Sequence, residues 1–302
     1  MKENFKKKLI QFHDKNYKKL LILPLFLILF CFGYLFFFYS QTNGFFYKDI
    51  SLQGGTSITI NGEINVEDLQ SAVSGKLENV NIREVSDLMT QKPLAVIIET
   101  TTEKEKAKQI LEDYLNYTLI DGENSSFEFT GSTLSENFYQ QLLIALLIAF
   151  FLMAIVVFIQ FKSIVPSLAV IFSAFADILM SLVLLDILEI RISSAGIVAL
   201  VMLIGYSVDT DILLTNKVLN RTGDSLNKRI FSSFGTGITM TLTSFFAVII
   251  ADLIVGQFSS ILHQIFLIMA IGLSFDIINT WLTNVSIIKW YALSKQKKKN
   301  EN

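Results

Sequence analysis

The chain has 302 residues, 52% of them hydrophobic and only 17% charged, with 26 Phe and a formal net charge of −2. Mean hydropathy is +0.51. These values exclude an ordinary soluble domain and place the chain in the membrane class. The small net charge averages over very unlike segments and points to no partner, and nucleic-acid binding is not expected. A single cysteine, Cys31, lies within an apolar run, which excludes a disulfide or metal–thiolate framework. His13 and His263 are too far apart in sequence to give metal-ligand spacing, so neither a metal nor a cofactor is expected.

Residues 1–19 form a basic N-terminus, and the first apolar run, 20–40, is long enough to cross a bilayer. It is not read as a cleaved signal, because Cys31-Phe32-Gly33-Tyr34 leads into more Phe rather than a small-residue cleavage site. Residues 41–137 are polar and read as a folded α+β domain. Ser57–Ile60 alternates as a strand, and Val66 starts a helix running to about Leu77. Strands follow near Val80–Leu88 and Pro93–Thr100, then an amphipathic helix over Lys104–Tyr117 and a last strand over Ser125–Thr130. The order βαββαβ predicts a ferredoxin-like domain. Asn116 and Asn124 begin glycosylation sequons within it. Five further spans are expected at 139–160, 166–188, 195–217, 234–255 and 261–290, followed by a basic tail over 291–302.

Orientation follows from the basic flanks. Lys2, Lys6, Lys7, Lys8, Lys15, Lys18 and Lys19 precede the first span, and Lys162 lies between the second and third. Lys217, Arg221, Lys228 and Arg229 separate the fourth and fifth, and Lys295 and Lys297–Lys299 follow the sixth. Both termini are therefore expected in the cytoplasm, with 41–137 outside, in a multi-pass protein of the cell membrane.

Charge in mid-membrane costs about 2.5–3.5 kcal/mol per group on insertion scales, so each such group calls for a reason. Ser173, Asp177 and Ser181 repeat at four in the third span and share a helical face. The fourth span contains Gly205-Tyr206-Ser207-Val208-Asp209-Thr210-Asp211, where Asp209 points well away from Asp211. In the sixth, Gly272, Asp276 and Thr280 share a face beside Asn279. Two uses fit these residues: hydrogen bonds that only fix helix packing, or acids that take up and release protons along a polar seam. No Lys or Arg lies at the centre of a span to neutralise them. Asp186 and Asp252 fall near outer ends, where headgroup water is expected to reach them.

These residues are similar to those of the SecD/SecF protein-export family, SecF branch, within the resistance-nodulation-division superfamily. Leu52-Gln53-Gly54-Gly55-Thr56 resembles the family's Gly-Gly-Thr motif, and Phe175-Ala176-Asp177-Ile178 its third-span motif. Gly205-Tyr206-Ser207 before an acidic, threonine-containing cluster is the most specific match. Bacterial sequences have Asn-Asp-Thr where this chain has Asp209-Thr210-Asp211, and Asp-Arg where it has Asn216-Lys217; both departures resemble the archaeal branch. The resemblance implies a non-enzymatic accessory subunit that works with SecD and the Sec translocon channel on exported polypeptides, driven by the proton gradient. It also implies proton-relay roles for Asp177, Asp211, Asp209 and Asp276. Tyr206, Ser207 and Thr210 would support them, with Gly54, Gly55 and Gly205 as motif glycines. The alternatives are a half-transporter of the same superfamily exporting a lipid or small molecule, and a structural assembly factor without coupling.

Overall fold

The computed structural model describes residues 14–86, 92–220, 224–256 and 259–301. Lys2, Lys6, Lys7, Lys8, His13 and Arg221, and the expected strand end at Leu88, lie outside the described residues. After a helical lead-in over 14–20, α1 (Ile22–Thr42) ends at Asn43, which takes the left-handed conformation that asparagine tolerates. A short helix, α2 (Ile50–Gln53), is capped by the Asp49 carboxylate accepting from the Ser51 amide.

A four-stranded sheet comes next: β1 (Gly55–Asn61), β2 (Asn81–Ser86), β3 (Pro93–Thr100) and β4 (Ser125–Thr130). Their spatial order is β2-β3-β1-β4, with every neighbouring pair antiparallel. Two helices, α3 (Val66–Val73) and α4 (Lys104–Leu115), connect the strands. Alternate residues Ile58, Ile60, Val96 and Ile98 face Leu69, Val73, Ala107 and Leu111, giving the domain its own core. The helix expected to reach Leu77 stops at Val73. Ser74 leaves the helical region with ψ 126°, and Gly75 turns the chain at φ +78°.

The opposite sheet face carries Glu99, which accepts hydrogen bonds from Asn81 and Arg83. Burial, and then the nearby Asp49 carboxylate, push the Glu99 pKa above its ordinary 4.5, against the lowering effect of Arg83 and Asn81. The folded state then holds this proton more tightly than the unfolded chain. Its contribution to stability is present below pH 4.5 and is lost as pH rises through the raised value. Between pH 4.5 and neutrality the thermal midpoint of the native chain, relative to that of Glu99→Gln, is expected to fall as pH rises. A difference that is flat with pH would refute this.

Among the described residues, six helices are long and apolar enough to cross a membrane. After α1 they are α5 (Ser132–Phe161), α6 (Ile164–Ile187), α7 (Ser194–Asn220) and α8 (Leu226–Val255). The sixth is compound: α9 (Ser260–Ile278) runs through a π-helical turn at Asn279–Asn284 into α10 (Val285–Glu301). The innermost are α6 and α7; α5 is mostly exposed or half-buried, and α8 buries one stripe, Leu226, Ile230, Ser233, Gly237 and Thr241. Close approach of α7 and α9 depends on Gly272, where an added Cβ would fall 2.9 Å from Leu203 Cγ and closer still to its methyls. Gly272→Val is expected to destabilise the bundle by about 2 kcal/mol through overpacking. At Gly33 nothing lies within 4 Å of an added Cβ, so Gly33→Ala should be neutral or slightly stabilising. Thermal unfolding in detergent separates the two.

Candidate functional site: an acidic cluster between four helices

The polar residues of α6, α7, α8 and the sixth span meet at the centre of the bundle. Asp177 on α6 is fully buried. Its carboxylate accepts from Ser207 Oγ of α7 at 2.5 Å and from Asn279 Nδ2 at 2.7 Å. Asp211, four residues beyond Ser207 on the same α7 face, accepts from Thr280 Oγ1 at 2.8 Å and Asn284 Nδ2 at 2.7 Å. Asp276 on α9 accepts from Thr241 Oγ1 of α8 at 3.2 Å and from Thr280 Oγ1 at 3.1 Å. The Thr280 hydroxyl thus sits between two carboxylates and has one proton to give to either. Among the described residues no salt bridge engages any of the three acids.

The π turn explains how one span serves two acids. Wider than an α turn, it brings Asn284 round to the face that carries Asn279 and Thr280. Asn279 then reaches Asp177, while Thr280 and Asn284 reach Asp211. Thr241 and Asn284 are the members that sequence reasoning missed. Thr241 lies two residues from the Thr239 and Thr243 of an α8 face exposed on the chain's surface, and the five-residue step from Asn279 to Asn284 does not match an α-helical face.

Not every expected residue joins the cluster. Thr210 is buried, with its Oγ1 3.5 Å from Thr241 Oγ1. Asp209, Tyr206 and Gly205 instead lie on the outward surface of α7, in a row with Val198 and Met202. An added Cβ at Gly205 would meet nothing within 4 Å. Gly54 (φ +82°) and Gly55 (φ +149°) join α2 to β1, packed against the backbone of Ser132 and Thr100 respectively. Asp186 is only 1% exposed, rather than water-accessible, because the chain that follows α1 covers it. Asp252 does stand at a partly exposed end, 2.8 Å from His263 Nδ1. Lys289 of α10 is also buried, with Nζ 2.6 Å from Asp14 and over the Tyr17 ring.

A bundle of six apolar helices with three interlinked carboxylates at its centre, carrying a small antiparallel sheet domain, defines a polytopic membrane protein with a buried ionisable site. Residues 110–294 match the family described as protein export membrane protein SecD/SecF, C-terminal. The chain belongs to the SecD/SecF family. It is 38% identical to the protein-export membrane protein SecF of Methanocaldococcus jannaschii, over 83% of this chain and 89% of the relative. With the SecF of Pyrococcus furiosus it shares 30% identity over 97% of each. Its fold is similar to the crystal structure of SecDF, a translocon-associated membrane protein from Thermus thermophilus, with a TM-score of 0.71 at 17% identity, covering 92% of this chain. The chain spans 38% of that longer SecDF chain.

Proposed function

We propose that the chain is a SecF-type accessory subunit of the Sec export machinery, acting with SecD at the translocon channel to promote the passage of exported polypeptides. The observation that carries its mechanism is the buried trio Asp177, Asp211 and Asp276, held by neutral donors on helices that all meet at one point. Ionised acids at that depth without a counter-ion are costly, so the trio works by gaining and losing protons. Each proton moved through about 100 mV supplies roughly 2.3 kcal/mol for conformational work. Ser207, Thr210, Thr280 and the two asparagines change hydrogen-bond partners as the charge moves, and the helices that carry them shift.

In this reading both termini are cytoplasmic, residues 41–137 lie outside, and the chain resides in the cell membrane. The sheet order β2-β3-β1-β4 with two connecting helices supports reading the outer domain as ferredoxin-like. The outward row Val198, Met202, Gly205, Tyr206 and Asp209 is the face that SecD covers, and there Asp209 meets a donor of the partner. Affinity purification of the tagged chain is the test: SecD and channel subunits are expected to co-purify, and export of a secreted reporter is expected to fall when the chain is depleted. Purification without SecD, or unchanged export, would overturn the reading.

A further inference from the structure

The chain between α1 and the outer domain is not a free tether. Tyr47 and Asp49 pair with Ile192 in the α6–α7 loop. The Ile192 amide donates to the Tyr47 carbonyl at 2.7 Å, and the Asp49 amide to the Ile192 carbonyl at 3.0 Å. The Ser194 amide donates to Ser51 Oγ at 3.1 Å, and Arg191 Nη1 reaches the Asn79 carbonyl in the outer domain at 2.8 Å. Gln264 of α9 holds the same loop from the other side, donating to the Arg191 carbonyl and accepting from the Ser193 amide at 3.0 Å. At the root of the loop is Asp186, whose Oδ1 accepts from the Tyr47 amide at 3.1 Å. Among the described residues its Oδ2 has no hydrogen-bond partner.

Asp186 and Asp177 stand on the same helix, nine residues apart, so about 13 Å of continuous α6 separates them. Another face of α6, through Ala176, Leu179, Met180 and Val183, packs on Ile28 and Cys31 of α1. A shift of α6 in response to the acidic cluster therefore moves both the α6–α7 loop and the start of the outer domain.

We propose that the outer end of α6 and the α6–α7 loop form the joint that transmits movement of the acidic cluster to the outer domain. In this joint Asp186 is a positioning residue, fixing the linker through the Tyr47 amide. The joint goes beyond the export reading and rests on it only for its second readout.

The test is amide hydrogen exchange on the full chain in detergent, with Asp186→Leu and Asp186→Asn. Leucine removes the acceptor, and the amides of 47–51 and 190–194 are expected to exchange about tenfold faster. Asparagine keeps an acceptor oxygen and should restore native protection. Residues 173–181 should stay unchanged in both, which a general loss of packing would not allow. Should Asp186→Leu fail to accumulate, Ser51→Ala removes a second bond of the joint and is expected to raise exchange at Ser194. Export is then measured at equal membrane abundance, where Asp186→Leu should lower it and Asp186→Asn should restore it. Native exchange in the leucine and serine variants overturns the joint. Loosened exchange with full export overturns its role in transmission. If Asp177→Asn also leaves export intact, the fault lies with the proton-driven reading, and the exchange result still decides whether the joint exists.

Discussion

Export of a reporter protein is expected to fall by an order of magnitude or more in cells whose only copy carries Asp177→Asn, with its membrane level unchanged. The amide suits the site sterically. Its oxygen can accept from Asn279, and its amino group can donate to Ser207, whose hydroxyl accepts as readily as it donates. In the proton-driven reading, what is lost is the proton. One charge fewer moved across about 100 mV removes roughly 2.3 kcal/mol of bias, a factor of about fifty. Asp177→Leu makes a different variant: it strands two buried donors at about 1–3 kcal/mol each and should lower the amount of folded protein. Asp209→Asn lies on the outer surface of α7 and should leave the cluster's hydrogen bonds intact. Native export by Asp177→Asn, at native abundance, would leave the acids with a packing role alone.

Gly55→Ala is expected to destabilise the sheet domain by about 3 kcal/mol or more, and Gly54→Ala by a similar amount. At Gly54, with φ +82°, an added Cβ would lie 2.6 Å from Ser132 Cα and 2.7 Å from its amide nitrogen. At Gly55, with φ +149°, it would overlap the Thr100 carbonyl oxygen. Both obstacles are backbone, which cannot turn aside as a side chain can. Ser132 opens α5 and Thr100 closes β3, so the two glycines are where the sheet domain is pressed against its own last strand-to-helix exit. Limited proteolysis of membranes reads the effect directly, through accelerated cleavage between residues 55 and 130. A resistant domain in either variant would show that the close approach is not required.

Lys289 shows where reading by composition stops. As a lone base near the end of the sixth expected span it carried no special signal, yet it is 1% exposed and paired with Asp14. No local pattern couples two residues 275 positions apart. Asn284 is similar in kind: only the π turn, a departure from regular helix, brings it to Asp211. Asp186 went the other way, expected in headgroup water and found beneath the linker, because the covering residues come from a segment far away in the chain.

What the sequence determined by itself is whatever depends on neighbours along the chain. Long apolar runs make six helices fit to span, period-two alternation makes the strands, and four-residue spacing gathers Ser173 with Asp177 and Ser207 with Asp211. Contacts between helices were decided only by the tertiary structure. Packing of α6, α7, α8 and the sixth span chose Asp177, Asp211 and Asp276 for the cluster and turned Asp209 outward. The reason is rotational. An apolar span does not mark which of its faces meets protein and which meets lipid, since both surroundings are equally oily, and only close packing and buried hydrogen bonds settle the choice.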